Sequence, residues 1–202
     1  MKTGNNRERD LVPTPSQTVG PYFQIGMSGS REIPRIAGAD ARGERVKLVC
    51  TVFDRDGARL DDAMIEIWQA NADGKYNHPA DRRPMPVDPA FLGFGRVSSN
   101  SEGICVFETI KPGRVPGPGN VLQAPHLEVS VLARGVLKRL ATRIYFAGDP
   151  ANDEDPVLAL VPKSRRHTLM AQPIASPRGG EPGAWRFDVH LSGSRETVFF
   201  DV

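Results

Sequence analysis

Apolar residues in this chain occur in short runs, and glycine, proline and other turn-forming residues separate one run from the next. The runs lie at residues 46–53, 63–70, 103–110, 127–133, 136–146 and 185–191. Their lengths suit β-strands, and the 20 glycines and 18 prolines interrupt helices more than turns. The sequence therefore predicts a mainly β protein with long loops and little helix. We expect a short helix or turn at residues 155–162, which carry a proline near each end.

The turns between these runs predict which strands pair as hairpins. A turn-forming segment at residues 54–57 favours pairing of run 46–53 with run 63–70. Arg134-Gly135 favours a hairpin between runs 127–133 and 136–146, and Arg134 would lie at its turn. Ser192-Gly193-Ser194 likewise favours a hairpin between residues 185–191 and 196–202.

Residues 1–45 show little hydrophobic periodicity and contain many glycines and prolines, so they predict an N-terminal arm. Residues 19–25 of this arm are too apolar for a solvated tail. We expect the arm to pack on another surface, and residues 46–202 to form one domain, since a chain of 202 residues suits one core.

Charge and cysteine content limit the environment and the partners. The 26 basic and 24 acidic residues give a net charge of +2, which implies neither nucleic acid nor an anionic membrane as a partner. Cys50 and Cys105 lie in apolar, strand-like runs and are predicted to be buried thiols in a reducing compartment. The chain contains no apolar run of about 18 residues, and its first ten residues are polar. We expect a cytoplasmic protein.

His126-Leu127-Glu128 is the segment that bears most directly on function. Side chains at positions i and i+2 of a strand point to the same face, so a His-x-His pattern would offer two imidazoles to one metal ion. Here Glu128 takes the place of the second imidazole. On spacing alone, a single histidine on an apolar strand is more often a hydrogen-bonded structural residue than a metal ligand.

Three segments together, IEIWQANADGKY at residues 65–76, IKPG at 110–113 and APH at 124–126, resemble the intradiol ring-cleaving dioxygenases. TPSQTVGPY at residues 14–22 and ETVFFDV at 196–202 extend the resemblance to roughly residues 11–202, and they favour the alpha-chain type of the two-chain members. The resemblance implies a β-sandwich with added loops. It also implies that catalytic chains hold a non-haem ferric ion, Fe(III), with two tyrosines and two histidines, since phenolate oxygens suit this hard cation.

Carried over by position, the resemblance leaves half of that ligand set in this chain. The first tyrosine matches Tyr76 and the first histidine matches His126. The second tyrosine falls on Val115, which cannot ligate a metal, and the second histidine falls on Glu128. The resemblance therefore implies a degenerate site without metal in this chain, with the Fe(III) bound by a beta-chain partner.

Two further positions depart from the catalytic pattern. Gln123 stands where catalytic chains carry an arginine, and Arg143 stands where they carry a glutamine. An alternative remains open, in which this chain is an independent metalloenzyme with an altered ligand set. Its ligands would be Tyr76, His126, Glu128 and His78.

By the same resemblance, this chain would complete the substrate pocket of the beta chain in a hetero-oligomer of alpha–beta protomers, and the arm at residues 1–45 would pack on the partner chain. The aromatic substrate would be 3,4-dihydroxybenzoate, which O2 cleaves to 3-carboxy-cis,cis-muconate, and Arg134 would attract its carboxylate. The predicted substrate-binding residues are Thr18, Gly20, Pro21, Tyr22 and Arg134. A stand-alone β-sandwich that serves as a binding or scaffold module is the other alternative. His167 and His190 are predicted to be structural, and Tyr145 to lie in the core.

Overall fold

The computed structural model describes residues 14–174 and 183–201; residues 1–13 of the arm, residues 175–182 and the last residue of the predicted C-terminal hairpin lie outside it. The strands are β1 (Arg45–Phe53), β2 (Met64–Trp68), β3 (Phe94–Ser98), β4 (Ile104–Ile110), β5 (His126–Leu132), β6 (Leu140–Phe146), β7 (Met170–Ile174) and β8 (Gly183–His190). The helix α1 spans Pro21–Met27. Short 3-10 turns lie at Gly29–Arg31, Pro118–Asn120, Pro150–Glu154, Leu158–Leu160 and Arg166–Leu169.

The strands form one sheet that folds over on itself. Their order is β3-β2-β5-β6-β7-β8-β1-β4. β6 and β7 pair through two residues, Tyr145 with Met170 and Phe146 with Ala171. This short junction divides the sheet into two four-stranded halves that pack around a shared core. The predicted mainly β sandwich with long loops and little helix is thus confirmed.

Alternation along the strands decides which face meets the core. On β5, Leu127, Val129 and Val131 are buried in the core between the two halves, whereas the even-numbered side chains face outward. Burying one large aliphatic or aromatic side chain contributes about 1.5–3 kcal/mol, so this inner face fixes the register of β5. His126 and Glu128 consequently lie on the outer face of the sandwich.

The last part of the predicted arm closes the gap between the two edge strands. Ile33 exchanges backbone hydrogen bonds with Arg96 of β3, and the backbone N–H of Ile36 donates to Glu108 of β4. Ile36 is fully buried in the main core. Covering both exposed edges in this way protects them from pairing with other chains. Residues 33–36, which were predicted to belong to the arm, therefore pack on this chain's own sheet.

The predicted hairpins have different outcomes. β5 and β6 pair antiparallel as expected. The predicted hairpin between residues 46–53 and 63–70 was wrong. β1 pairs antiparallel with β4 and parallel with β8, whereas β2 pairs with β3 and β5. The last hairpin was also wrong, because the described part of the C-terminal segment forms no strand and bridges from Phe200 to Ala141 of β6.

Helical structure is also distributed differently from the prediction. The predicted turn near residue 158 exists as the Leu158–Leu160 3-10 turn. The helix α1, however, lies within the arm, where proline and glycine led us to expect no helix. Pro21 stands in its first turn, where the missing proline N–H leaves no hydrogen bond unmade. Among the described residues, none of the helices has the length and apolar character needed to cross a membrane.

Candidate functional site

The outer face of β2, β5 and β6 carries most of the residues of interest. β2 and β5 pair antiparallel, so Trp68 lies beside Glu128 at one end of the pair and Met64 lies beside Leu132 at the other. Residues matching family ligands gather at the Trp68 end, and Gly20, Pro21 and Arg134 of the predicted substrate-binding residues gather at the Met64 end. We call these the ligand-remnant site and the arm groove.

His126 begins β5 and is almost entirely buried. Its Nδ1 lies 2.7 Å from the Ala124 carbonyl oxygen and donates to it. The Nε2 is buried without a hydrogen-bond partner and lies 3.5 Å from a Glu128 carboxylate oxygen. A histidine whose Nδ1–H is held by a carbonyl presents its Nε2 lone pair, which is the arrangement of a metal-bound imidazole. His126 thus keeps the orientation of a ligand.

A buried carboxylate fixes the backbone on which His126 depends. Asp155 accepts the backbone N–H of Ala124 at 2.7 Å and that of Leu158 at 2.7 Å. It also accepts the Tyr145 hydroxyl at 3.1 Å. Burial raises the pKa of Tyr145, which is in the core as predicted and therefore remains a neutral donor. This network holds the imidazole in place without metal.

Arg143 of β6 supplies the positive charge of the ligand-remnant site. One terminal nitrogen lies 2.6 Å from a Glu128 carboxylate oxygen, and the other donates to the Gln123 side-chain oxygen at 2.7 Å. The residues Glu128 and Arg143 are direct cross-strand partners. Burial raises the pKa of the Glu128 carboxyl, but the positive charge of Arg143 opposes burial, and the pKa lies below its ordinary value. Glu128 is thus an ionised partner of Arg143.

Tyr76 lies on the loop between β2 and β3 and stacks on Trp68, with ring centroids 5.9 Å apart and an interplanar angle of 6°. Its backbone N–H donates to Asp81 at 3.0 Å. Lys75, which is buried, donates to the backbone carbonyls of Asp81 and Arg83 and lies 3.2 Å from the Asp81 carboxylate. The Arg83 guanidinium beside Asp81 holds the pKa of that carboxyl well below its usual range. Buried charges therefore fix the loop that carries Tyr76.

Two glycines allow this loop to approach the loop after β4. A Cβ on Gly74, whose φ is +79°, would overlap the Arg114 carbonyl oxygen. A Cβ on Gly113 would overlap the Ala72 carbonyl oxygen. This approach places the buried Val115 and Tyr76 in the lining of one cavity of about 390 Å³.

The residues at the ligand-remnant site do not fit a ferric ion. Val115 offers no donor atom, and Glu128 is already paired with a guanidinium at 2.6 Å. Burial raises the pKa of Tyr76, which disfavours the phenolate, and Glu128 raises it further while Arg143 opposes it. The lone pair of His126 is left as a single well-placed ligand.

The alternative ligand set is not assembled. Across residues 14–174 and 183–201, no three histidine, cysteine, aspartate or glutamate side chains converge to hold a metal. His78 instead accepts the backbone N–H of Ala80 at 3.1 Å and meets Trp68 edge to face. The proposal of a site that adds His78 to His126 and Glu128 was therefore wrong.

The arm groove brings together three of the predicted substrate-binding residues, Gly20, Pro21 and Arg134, and Thr18 is tied to the adjacent turn. The backbone N–H of Gly135 donates to the Thr18 hydroxyl at 2.8 Å, which ties the arm to the β5–β6 turn. Gly20, Pro21 and Arg134 line a cavity of about 240 Å³ with α1 and the Met64 end of β2. Arg134 is 81% exposed and contacts Asp62 at 2.9 Å through Nε.

Tyr22 differs from the other predicted residues of the arm. Its side chain is 87% exposed, and it does not line the cavity. Ile25 on the same helix is 73% exposed. An aromatic and an aliphatic side chain in such exposure form an apolar surface on α1.

Other predicted residues occupy structural positions. His190 stacks on Phe53, with ring centroids 4.8 Å apart. His167 lies on the surface, in the last 3-10 turn. Cys50 and Cys105 are buried free thiols that face each other in the β1–β4 register. Burial raises the pKa of both thiols, to about 12 for Cys105, so neither is a nucleophile.

Sequence reasoning missed several residues of these sites. Lys75, Asp81 and Arg83 lie in the loop between β2 and β3, and charge alone gave no sign that Lys75 is buried. Asp62 lies in a turn far from Arg134 in sequence. Asp155 had one usable signal, since an aspartate just before Pro156 commonly caps a turn. Gln123 and Arg143 were noted separately, without any indication that they form a pair.

Comparison with known proteins gives the class. A protein-family model described as Dioxygenase matches residues 18–193. The dioxygenase domain of a dioxygenase and carbohydrate-binding fusion from Streptomyces sp. SirexAA-E superposes with a TM-score of 0.62 at 25% identity, over 91% of this chain and 100% of that one. Catechol 1,2-dioxygenase from Acinetobacter sp. ADP1 superposes with a TM-score of 0.60 at 25% identity, over 77% and 55%. The chain belongs to the intradiol dioxygenase family, whose members are generally iron-dependent.

Closer relatives narrow the class. The chain is 44% identical to the protocatechuate 3,4-dioxygenase alpha chain of Burkholderia cepacia, over 95% of this chain and 98% of that one. It is 38% identical to the alpha chain of Pseudomonas putida, over 95% and 98%. The beta chain of the B. cepacia enzyme is 33% identical over 80% of this chain and 70% of that one. Relatives named as alpha and beta chains are consistent with a hetero-oligomer.

Proposed function

We propose that this chain is the alpha chain of a protocatechuate 3,4-dioxygenase. The enzyme cleaves 3,4-dihydroxybenzoate between its hydroxyl-bearing carbons with O2, giving 3-carboxy-cis,cis-muconate. A beta chain holds the ferric ion, which supplies the activation of substrate and oxygen. This chain completes the substrate pocket and the assembly. Its near full-length identity of 44% to an alpha chain supports the assignment.

The observation that carries the proposal is the separation of the two sites. The ligand-remnant site begins at His126 and the arm groove ends at Leu132, at opposite ends of β5. At about 3.3 Å per residue, these ends lie roughly 20 Å apart. A substrate at the arm groove therefore could not reach a metal beside His126, and the arm residues would serve an active site in a partner.

The arm groove has the chemistry that this role requires. Arg134 is exposed and uses Nε to contact Asp62, so its other edge can take a substrate carboxylate through two hydrogen bonds. The apolar surface of α1, with Tyr22 and Ile25, supplies an area that a partner chain would cover. Thr18 links the arm to the same turn as Arg134. Together these residues form a wall that is apolar at its base and cationic at its rim.

Buried free thiols support a reducing location, which we propose to be the cytoplasm. Cys50 and Cys105 are cross-strand neighbours, yet they remain unlinked. Intracellular proteins keep such thiols reduced.

Coexpression with the beta chain tests the proposal. We expect oxygen uptake with 3,4-dihydroxybenzoate from the complex and none from this chain alone. Turnover by this chain alone would contradict the proposal, and a beta chain that is equally active with and without it would favour the scaffold alternative.

Arg134→Ala in the complex tests the pocket residue itself. We expect KM for 3,4-dihydroxybenzoate to rise roughly tenfold, because the substrate carboxylate loses an exposed charge-assisted contact. KM for catechol should change little, because catechol has no carboxylate. Arg139→Ala is the matched control. Arg139 is an exposed arginine near the same turn, but it contacts Ser130 and does not line the groove. Equal effects of Arg134→Ala on both substrates would remove the proposed role of the carboxylate.

A further inference from the structure

The ligand-remnant site retains a cluster of donor atoms that would otherwise attract a cation. The Nε2 of His126 is buried with its lone pair unpartnered and lies 3.5 Å from the Glu128 carboxylate. Tyr76 stacks on Trp68, which is the cross-strand neighbour of Glu128. A carboxylate, an imidazole nitrogen and a phenol on one face require a compensating positive charge in a partly buried position.

Arg143 supplies that charge from within the chain. Its guanidinium lies 2.6 Å from the carboxylate oxygen of Glu128, which is also the oxygen nearest to His126 Nε2. Its remaining contacts fix it in place, since it donates to Gln123 at 2.7 Å and lies 3.4 Å from the Tyr145 hydroxyl. The Arg143 side chain is 16% exposed, so water screens its charge weakly.

We propose that Arg143 is a built-in cation that takes the electrostatic place of a metal ion at the cluster of Tyr76, His126 and Glu128 and keeps metal ions out of this chain. A guanidinium cannot lose its proton in a protein, so the charge is permanent. It occupies the carboxylate that a metal would need, and it repels any cation that approaches His126. Removal of this one charge converts the cluster into a metal site. The inference concerns this chain's own residues and goes beyond its role in a complex.

Cobalt binding by the full-length chain tests the proposal, because Co2+ bound by nitrogen and oxygen ligands has a visible spectrum that needs no enzymatic activity. In Arg143→Gln the positive charge is lost, and the side chain can still hydrogen-bond Gln123. We expect this variant to bind one Co2+ at least roughly 100-fold more tightly than the unmodified chain. This is the size of effect expected when a positive charge a few ångströms from the bound cation is removed. Arg143→Lys is the matched control, since it keeps the charge and is expected to bind no better than the unmodified chain.

A second variant covers the case in which the unpaired Glu128 prevents folding of Arg143→Gln. Glu128→His with Arg143→Gln leaves no unpaired carboxylate and offers two imidazoles on one strand face. We expect it to bind Co2+, whereas Glu128→His alone, which retains Arg143, should not. His126→Ala added to either binding variant should abolish the spectrum, which locates the metal.

Three results would overturn the proposal. These are Co2+ binding through His126 in the unmodified chain, equal binding by Arg143→Lys and Arg143→Gln, or absence of binding in both Arg143→Gln and the double variant. None of these three outcomes depends on a beta chain, so failure here is distinct from failure of the proposed function.

Discussion

Asp81→Asn removes the carboxylate that holds the Tyr76 loop in place. Asp81 lies 3.2 Å from the Lys75 ammonium and 2.5 Å from the Arg83 guanidinium. Its oxygens also accept the backbone N–H groups of Tyr76 and Arg83. The substitution keeps the size of the side chain, removes its charge and replaces one acceptor oxygen with an NH2 donor.

The surroundings of each charge set the size of the effect. Side-chain exposures of 6% for Lys75 and 8% for Asp81 make this a buried pair, and removing one partner from such a pair costs about 3–5 kcal/mol. Lys75 keeps the carbonyls of Asp81 and Arg83 as acceptors, and Arg83 is 29% exposed. These features place the expected loss at the low end, about 3 kcal/mol. For a chain of this length, that lowers Tm by roughly 6–12 °C.

Thermal and urea unfolding of the unmodified chain, Asp81→Asn, Lys75→Met and the double variant measures the energy of this pair directly. We expect Lys75→Met to cost about 2 kcal/mol and the double variant to cost about 3 kcal/mol, less than the sum of the single losses. The resulting coupling of about 2 kcal/mol would belong to the contact between Lys75 and Asp81. A Tm for Asp81→Asn within about 2 °C of the unmodified chain would refute this reasoning.

The same carboxylate predicts a pH dependence. The pKa of Asp81 is lower in the folded chain than its ordinary value of about 3.9, because Arg83 and then the backbone donors favour the ionised form. Its stabilisation is therefore complete well above pH 4 and is lost as pH falls below about 4 towards the folded pKa. The difference in Tm between the unmodified chain and Asp81→Asn should shrink from about pH 6 to about pH 3. A constant difference across this range would contradict the assignment.

Two further substitutions test the loop approach and the buried polar contacts. Gly74→Ala should cost about 3 kcal/mol in urea unfolding, because the new Cβ combines a positive φ with overlap on the Arg114 carbonyl, whereas Gly119→Ala, at a φ of +66° in open space, should cost about 1 kcal/mol. Similar losses at both glycines would show that overlap is unimportant. Thr109→Val should cost about 1–3 kcal/mol, because the buried Gln69 oxygen loses its 2.7 Å hydrogen bond, and an unchanged urea midpoint would contradict this.

Strand positions could be predicted from sequence because their signal is local. The alternation of Leu127, Val129 and Val131 with more exposed residues fixes both the strand and its buried face. A motif resemblance then gave the sandwich, which local periodicity alone leaves undetermined.

Strand pairing could not be predicted because it depends on distant residues. The turn after β1 suggested a hairpin with β2, but this turn closes within a few residues, where Leu60 donates to the Val52 carbonyl. The chain then crosses to the other half of the sandwich. β1 pairs instead with β4 and β8, partners that no local pattern identifies.

The functional residues divide in the same way. Motif spacing predicted where Tyr76 and His126 lie, because a position in a loop or at the start of a strand depends on residues nearby in the sequence. The pairing of Glu128 with Arg143 depends on the register of β5 and β6, and the contact between Arg134 and Asp62 depends on how a turn meets the start of β2. Burial of Lys75 could not be read from sequence either, because an isolated lysine is ordinarily exposed.

Tyr76→Phe in the assembled alpha–beta complex gives the most direct test of where the iron lies. Phenolate-to-iron charge transfer colours an iron site with tyrosine ligands, so iron content and visible absorbance can be measured together. If the beta chain holds the iron, the complex contains one iron per alpha–beta pair, and Tyr76→Phe leaves both the iron content and the absorbance unchanged. Loss of iron or of the absorbance band in Tyr76→Phe would place metal in this chain and contradict the account.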